Sequence, residues 1–363
     1  MQPGTELTER EKFVLGTIVE NFVAKASPIG STYIAKKYHL PFSPATLRNV
    51  MMDLEEKGYL RQPHTSAGRM PTDKGYRFYV DSIMKVENIS PLEKNRIYES
   101  LRRVSQDIEY ILEAASHTLA QISNQLGVVL APRFYQGRFD RMELVPISDN
   151  RILVIITIQS GLVKTITMEL EHGISRDTLQ ETCRILNERL HGLTLKEIKR
   201  TIDERMRDVN LQDTRFIDLV LKSSRSLFTF PSPSDLHIGG TSNIMTQPEF
   251  SDQTKLKNIM NLLDDKEILI QVFNRRTETE ETDAPPAPIS PHRIKITIGE
   301  ENKEHLMRYC SLITATYHLG GVSGTIGLLG PTRMPYSKLV AVIDYMAEVL
   351  SSLFNAESVP KNE

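Results

Sequence analysis

The residues from Ser43 to Val80, SPATLRNVMMDLEEKGYLRQPHTSAGRMPTDKGYRFYV, carry side chains whose types and spacing suit the edges of base pairs. Arg donates two hydrogen bonds to guanine, Asn pairs with adenine through a donor and an acceptor, and a small Ala or a Thr methyl approaches the methyl of thymine. Whether Arg48, Asn49, Ala45 and Thr46 can act together depends on the element that holds them. Ser43 is a good N-cap and Pro44 suits the first helical position, so the spacing predicts a helix from here to Gly58. Leu47, Val50, Met51 and Leu54 recur at i, i+3, i+4 and i+7 and mark its buried stripe. At about 100° per residue, Ala45, Asn49 and Met52 then lie opposite, flanked by Thr46 and Arg48, near the end that enters the major groove in helix-turn-helix proteins.

The flanking elements must position that helix. Leu7-Thr8-Glu9-Arg10 opens an amphipathic helix with Phe13, Val14, Ile18 and Phe22 inward, and Ile29-Gly30-Ser31 leads into a short second one with Tyr33, Ile34 and Tyr38 inward. From Tyr59 the chain turns extended and runs into Gln62-Pro63-His64-Thr65-Ser66-Ala67-Gly68-Arg69, a wing with a tight tip whose Arg69 is placed for a phosphate. Thr72 caps a fourth helix with Tyr76, Tyr79, Val80 and Ile83 buried and Lys74 and Arg77 outside, both toward backbone phosphates. Short helices with outward Arg and Asn also occur in domains that never meet nucleic acid, and charge does not decide between the two. Residues 1–85 hold 12 Lys or Arg against 9 Asp or Glu, the remainder 32 against 37.

A length of 363 residues argues for two or three domains. Cys183 and Cys310 stand far apart in apolar segments, which suits a reduced cytoplasm and suggests neither a disulfide framework nor zinc. Apolar runs such as Ile152 to Ile158 are too short to span a bilayer, and the start of the chain has no signal-peptide core. A soluble cytoplasmic protein without a membrane partner is expected.

Ser90-Pro91-Leu92-Glu93 is a capping box that opens a helix predicted to continue to Asn124, with Ile97, Leu101, Val104, Ile108, Ile111, Ala115, Leu119 and Ile122 along a core or coiled-coil seam. Gly127 to Leu130 reads as a buried strand. Arg141 to Ile147, Ile152 to Ile158 and Val163 to Leu170 follow as strands, spaced for an antiparallel meander with turns at Asp149-Asn150 and Ser160-Gly161. Helices occupy Ser175 to Phe228, divided at His191-Gly192 and again at Val209-Asn210. Beyond come a strand at Leu236 to Ile238, a helix over Leu256 to Leu263, strands at Ile268 to Phe273 and Arg293 to Ile298, two more between Ser311 and Leu329, and a closing helix from Tyr336 to Phe354. TETEETDAPPAPISP, residues 277–291, is expected to be a mobile acidic, proline-rich loop.

Four blocks, IAKKYHLPFSPATLRNVMMDLEEKGYLRQPHTSAGRMPTDKGYRFYV, HIGGTSNIMTQPEF, ITIGEEN and GTIGLLGPTRMPY, together resemble the bacterial heat-inducible transcription repressor HrcA family. The resemblance implies an α+β protein that is not an enzyme, with a winged-helix DNA-binding domain, a GAF-like domain and an inserted dimerising domain; the order of elements sets these at 1–88, at 89–137 with 236–357, and at about 138–235. It implies repression of chaperone operons by a homodimer on a double-stranded inverted-repeat operator, with the GroE chaperonin as partner. Carried over residue by residue, the family's reading helix matches Ser43, Ala45, Thr46, Arg48 and Asn49, and its wing matches His64, Thr65, Ser66, Gly68 and Arg69. Pro44 stands where a small polar residue is common in the family, and Pro335 where an Asp is common.

Other chemistries fit poorly. Gly320, Gly321, Gly324, Gly327 and Gly330 have no following Gly-Lys-Ser/Thr and no βαβ context, so strand packing is expected rather than a phosphate loop. The nine histidines form no metal pattern, and no cofactor is expected. With no metal, nucleotide or paired-cysteine motif to sense through, the expected input for heat is the chain's own marginal stability. The other functional reading is a GAF-containing regulator that responds to a small molecule, whose sign would be an enclosed pocket with converging polar groups.

Overall fold

The computed structural model describes residues 7–39, 43–65, 67–103, 108–133, 136–159, 163–170, 175–207, 236–278, 294–319 and 322–355, with 209, 220, 221, 223, 227 and 228 besides. The chain is a mixture of helix and sheet in two compact units. One comprises residues 1–130, 236–316 and 325–348, the other 131–235, 317–324 and 349–363.

The first unit begins with three helices, α1 (Glu9–Lys25), α2 (Ser31–Tyr38) and α3 (Pro44–Glu56). Thr8 and Glu11 form a capping box on α1, and the Ser43 hydroxyl accepts the Thr46 N–H at the start of α3. Strands β1 (Leu60–Arg61) and β2 (Met70–Pro71) pair antiparallel, and Ile29 adds a bridge to Arg69 beside them. Thr72 caps α4 (Asp73–Phe78), which passes into a π-helical turn at Tyr79–Ile83. The fourth-helix reading holds for its cap and for Tyr76, Tyr79 and Val80, which are buried, while Ile83, expected buried, and Arg77, expected outside, are both half-buried.

Two helices follow, α5 (Pro91–Arg102) and α6 (Ile108–Ser123), and they pack against each other. The single long helix expected to Asn124 is thus corrected: α5 ends with Arg103 as its cap, and Val104 lies outside the described residues. Strand β3 (Leu126–Leu130) joins β7 (Leu236–Gly239), β8 (Lys295–Ile298), β9 (Cys310–Leu319) and β10 (Val322–Pro331) in a five-stranded sheet of order β7-β3-β10-β9-β8. Gly324, Gly327 and Gly330 sit inside β10, where a Cβ at Gly327 would lie 2.4 Å from the Phe273 ring; Gly320 and Gly321 lie outside the described residues.

Helix α6 packs on β3 and β7. One apolar core is built by strand residues such as Val128, Leu312 and Leu329 with Ile244 of α9 (Thr241–Met245), Ile259 and Leu262 of α10 (Gln253–Asp264) and Leu269, Val272 and Phe273 of α11 (Lys266–Glu278). Ile268 to Phe273 is therefore helix, not the expected strand. Its apolar run hid a helical stripe at 269, 272 and 273, and the Asp265 carboxylate accepts the Ile268 N–H at the helix start. Because α11 runs to Glu278, the reading of 277–291 as a loop is corrected at its first two residues; the stretch from 279 lies outside the described residues. The closing helix α12 spans Tyr336–Asn355.

In the second unit β4 (Phe139–Ser148), β5 (Arg151–Ile158) and β6 (Val163–Glu169) form the expected antiparallel meander, covered by α7 (Arg176–Leu190) with α8 (Leu195–Arg205) following. Ile152, Val154, Ile156 and Ile158 alternate into its core, while Val145, Ile147 and Val163 are exposed. The third helix expected after Val209-Asn210 falls largely outside the described residues.

Candidate nucleic-acid interface

Helix α3 buries Leu47, Val50, Met51 and Leu54 and leaves Ala45, Arg48, Asn49 and Met52 exposed, the division that its periodicity predicted. Ser43 and Thr46 share a 2.9 Å hydroxyl contact at its first turn, so these two side chains are tied to the cap, while the turn's N–H groups point toward the end where an anion is favoured.

What fixes α3 is a set of polar contacts that the sequence reading missed. Asn21 of α1 is 1% exposed; its amide donates to Thr17 O (2.6 Å) and the Tyr38 hydroxyl (2.8 Å), and its carbonyl accepts from Tyr33 (3.1 Å) and Lys37 (2.6 Å). One buried amide thus sets α2 against α1. Tyr33 and Tyr38, expected inward, stay half-buried because their hydroxyls serve this hub, and Phe13 is exposed with its ring edge-on to Tyr38. A polar residue on the apolar stripe of α1 was the available signal. At the far end of α3, Lys57 pairs with Glu11 at 2.5 Å. Burial pushes the Glu11 carboxyl up, but the bonds from Lys57 and Thr8 outweigh it and hold the group below its usual range.

The hairpin is braced from α3 by Glu55. One carboxylate oxygen accepts the Gln62 N–H (3.0 Å) and the other pairs with Arg69 (2.8 Å), while the Gln62 amide donates to Thr65 O and Ala67 O and closes the tip. His64 and Thr65 are exposed there; Ser66 lies outside the described residues. Gly68 is required by close approach, since a Cβ would stand 2.4 Å from the Ile29 carbonyl carbon and oxygen. Arg69 is therefore anchored at the root of the loop and not free at its tip. Lys74 is exposed, with its ammonium donating to Lys57 O (2.7 Å) and lying 4.4 Å from the Tyr59 ring centre.

Arg77, read from the sequence as a phosphate contact, has its guanidinium occupied. Nε and Nη2 donate to the two Glu301 carboxylate oxygens (2.8 and 2.5 Å), Nη2 also to Ile296 O, and Nη1 to Asp81. Glu301 foremost, these acids raise the Arg77 pKa further above its ordinary value. Nothing local in the sequence announces a partner more than two hundred residues away.

A groove of about 840 Å³ runs beside α4 past Arg61, Asp73, Tyr76, Glu249, Lys255 and Arg308. Its acids and bases pair partly with one another, Arg333 with Glu249 and the Asp73 carboxylate with the Glu300 N–H. Burial pushes the Asp73 carboxyl up. Among the described residues, no three His, Cys, Asp or Glu side chains converge as metal ligands, and no helix is long and apolar enough to cross a membrane.

Comparison with known proteins places this arrangement. A family model described as the HrcA protein C terminal domain matches residues 109–340. The heat-inducible transcription repressor HrcA of Chlorobium phaeobacteroides strain BS1 is 41% identical over 350 residues, 95% of this chain and 98% of that one. Its counterpart in Chlorobium chlorochromatii is 42% identical over 357 residues, 97% and 99% of the two chains. A crystal structure titled only as a hypothetical protein superposes with a TM-score of 0.58 at 22% identity, over 97% of this chain and all of the other, a likeness that speaks for the fold alone. The chain belongs to the HrcA family of heat-inducible transcription repressors.

Proposed function

We propose that this repressor binds an inverted-repeat operator as a homodimer, with α3 in the major groove and the loop of residues 62–69 as its wing, in a winged-helix domain over 1–88. The carrying observation is the face of α3 that its core leaves open: Arg48 and Asn49 exposed for base edges, Ala45 and Met52 beside them for apolar contact. His64, Thr65, Ser66, Gly68 and Arg69 serve the wing and Lys74 a phosphate; Ser43 and Thr46 present the helix start. The GAF-like domain (89–137 and 236–357) carries this head. The inserted domain (138–235) dimerises through its meander, a role supported by exposed Val145, Ile147 and Val163.

GroE chaperonin, in this reading, keeps the repressor folded until heat-damaged clients compete for it. A loss of 1–2 kcal/mol then changes the active population several-fold. The polar walls of the groove beside α4 pair in part with each other, which favours this account over a small-molecule signal.

An electrophoretic shift assay on chaperone-operon promoter DNA tests the proposal. Arg48→Ala is expected to cost about 1–3 kcal/mol and to relax specificity, whereas Lys74→Ala weakens all sequences alike and lowers the salt slope by about one. Equal losses on operator and random DNA for Arg48→Ala would refute the base-reading role.

A further inference from the structure

The three later sequence blocks share no local chemistry, yet each sends residues to the back of the segment that carries α3 and the hairpin. From ITIGEEN, Glu301 clamps Arg77 in a two-point ion pair and the Glu300 N–H donates to Asp73 (3.0 Å). Gly299 between strand and acids has φ +56°, and a Cβ there would fall 1.7 Å from the Asp73 carboxylate, so a side chain at this position would displace Asp73 from the Glu300 N–H. From HIGGTSNIMTQPEF, Gln247 and Glu249 hold the Arg333 guanidinium of GTIGLLGPTRMPY. The remaining Arg333 amine donates to Val23 O (2.8 Å), a carbonyl in the last turn of α1, where a cation is favoured. The next residues continue the seam. Tyr336 packs its ring 5.9 Å from that of Tyr76, both fully buried, and the Ser337 hydroxyl donates to Lys85 O while its own carbonyl accepts the Glu87 N–H, fastening the connection to α5.

An independent head on a tether needs none of this. Two planar guanidinium clamps, a backbone-to-carboxylate bond and a tilted pair of buried tyrosine rings fix orientation as well as distance. We propose that Arg77, Arg333, Glu249 and Glu301 are positioning residues that hold the DNA-reading segment at one attitude on the five-stranded core, and so set the half-site spacing that the dimer accepts. The inference rests on the operator reading above. A dimer whose heads are rigidly mounted fits half-sites at one separation and helical phase, while loosely mounted heads tolerate several.

The test uses the full-length protein and operators whose spacer between half-sites is lengthened or shortened in single base-pair steps. Wild type is expected to prefer one spacing sharply. Glu301→Gln, which keeps the shape but removes the charge, should lower that discrimination on the order of tenfold, leaving the half-site sequence preference and the salt slope unchanged. The swapped pair Arg77→Glu with Glu301→Arg should restore part of it. Undiminished spacing discrimination in Glu301→Gln overturns the proposal, as does a salt slope lowered by about one in Arg77→Ala, which would make Arg77 a phosphate contact. Should Glu301→Gln fail to fold, Ser337→Ala, which removes only one bond to the connection, carries the same expectation and the same refutation. Wild-type protein that fails to distinguish operator from random DNA refutes the operator reading itself, a result recognisable before any variant is compared.

Discussion

Replacing Gly68 by Ala probes the root of the loop of residues 62–69 with one carbon atom. The added Cβ meets the backbone of Ile29 at 2.4 Å and the Gly30 nitrogen at 2.8 Å, atoms that cannot rotate aside. The strand carrying Arg69 must therefore retreat by about 1 Å, which takes both Ile29–Arg69 backbone bonds, each 2.8 Å now, beyond hydrogen-bonding range. Two such bonds contribute about 1–3 kcal/mol, and the reduced freedom of the unfolded alanine chain returns about 0.4–1 kcal/mol. A net destabilisation of about 1–2 kcal/mol follows, with a further loss of operator affinity because the displaced loop carries His64 and Thr65. Gly30→Ala is the matched control: it adjoins the same bridge, has φ −93° and finds nothing within 4 Å of an added Cβ. Urea unfolding followed by circular dichroism, together with operator shift assays, reads both effects. If Gly68→Ala unfolds and binds as wild type does, the bridge does not hold this loop and the reasoning fails.

Asn21→Ala should cost about 1–3 kcal/mol in urea unfolding, since it removes the buried amide that bonds Thr17 O, Tyr33, Lys37 and Tyr38; a smaller loss than that of Glu9→Ala, an exposed control, would count against the hub. The Lys338 ammonium and the Ser90 cap hold the Glu93 carboxyl at about 2, below its ordinary 4.5, so its contribution is fully present above pH 4.5 and fades as the pH falls toward about 2. Lys338→Met should flatten that part of the stability profile, and an unchanged profile would exclude the pair as a contributor. Burial pushes the Cys310 thiol up to about 12, so this residue should resist a thiol reagent at neutral pH until the protein unfolds. Labelling of Cys310 in native protein as fast as in urea would contradict its placement in the core.

The parts legible in the sequence were those whose causes are local. The cap at Ser43 and the stripe Leu47-Val50-Met51-Leu54 each follow from a few adjacent residues, and the structure repeats them. Ile268 to Phe273 misled because a short apolar run satisfies both strand and buried helix; only the packing of Leu269, Val272 and Phe273 into one core decides. The α5–α6 boundary was hidden for a similar reason, since the seam from Ile97 through Ile111 keeps the same spacing across two packed helices as along one. In the candidate site, the outward face of α3 was readable, whereas Glu55, Gln62 and Glu301 were not, because their roles depend on partners that only the fold brings near. Arg77 shows the limit: its place off the apolar stripe is predictable, an acid from a distant block that half-buries it is not.

The pairing of β3 with β7 sets Leu130 directly across from Leu236, so the whole span of 131–235 leaves and re-enters the sheet through neighbouring positions. The other neighbour of β3 is later still, with Leu130 opposite Thr325 of β10. All five residues of β3 are buried in the finished sheet. During synthesis, however, Leu126 to Leu130 leave the ribosome about 200 residues before β10 exists to pair with them, which at about 5–20 residues per second amounts to roughly 10–40 s. For about the first half of that interval, until β7 emerges, the nascent chain carries a strand wholly apolar apart from one glycine with no partner on either edge, and for the rest the edge that β10 will take stays open; anything that slows translation lengthens the exposure.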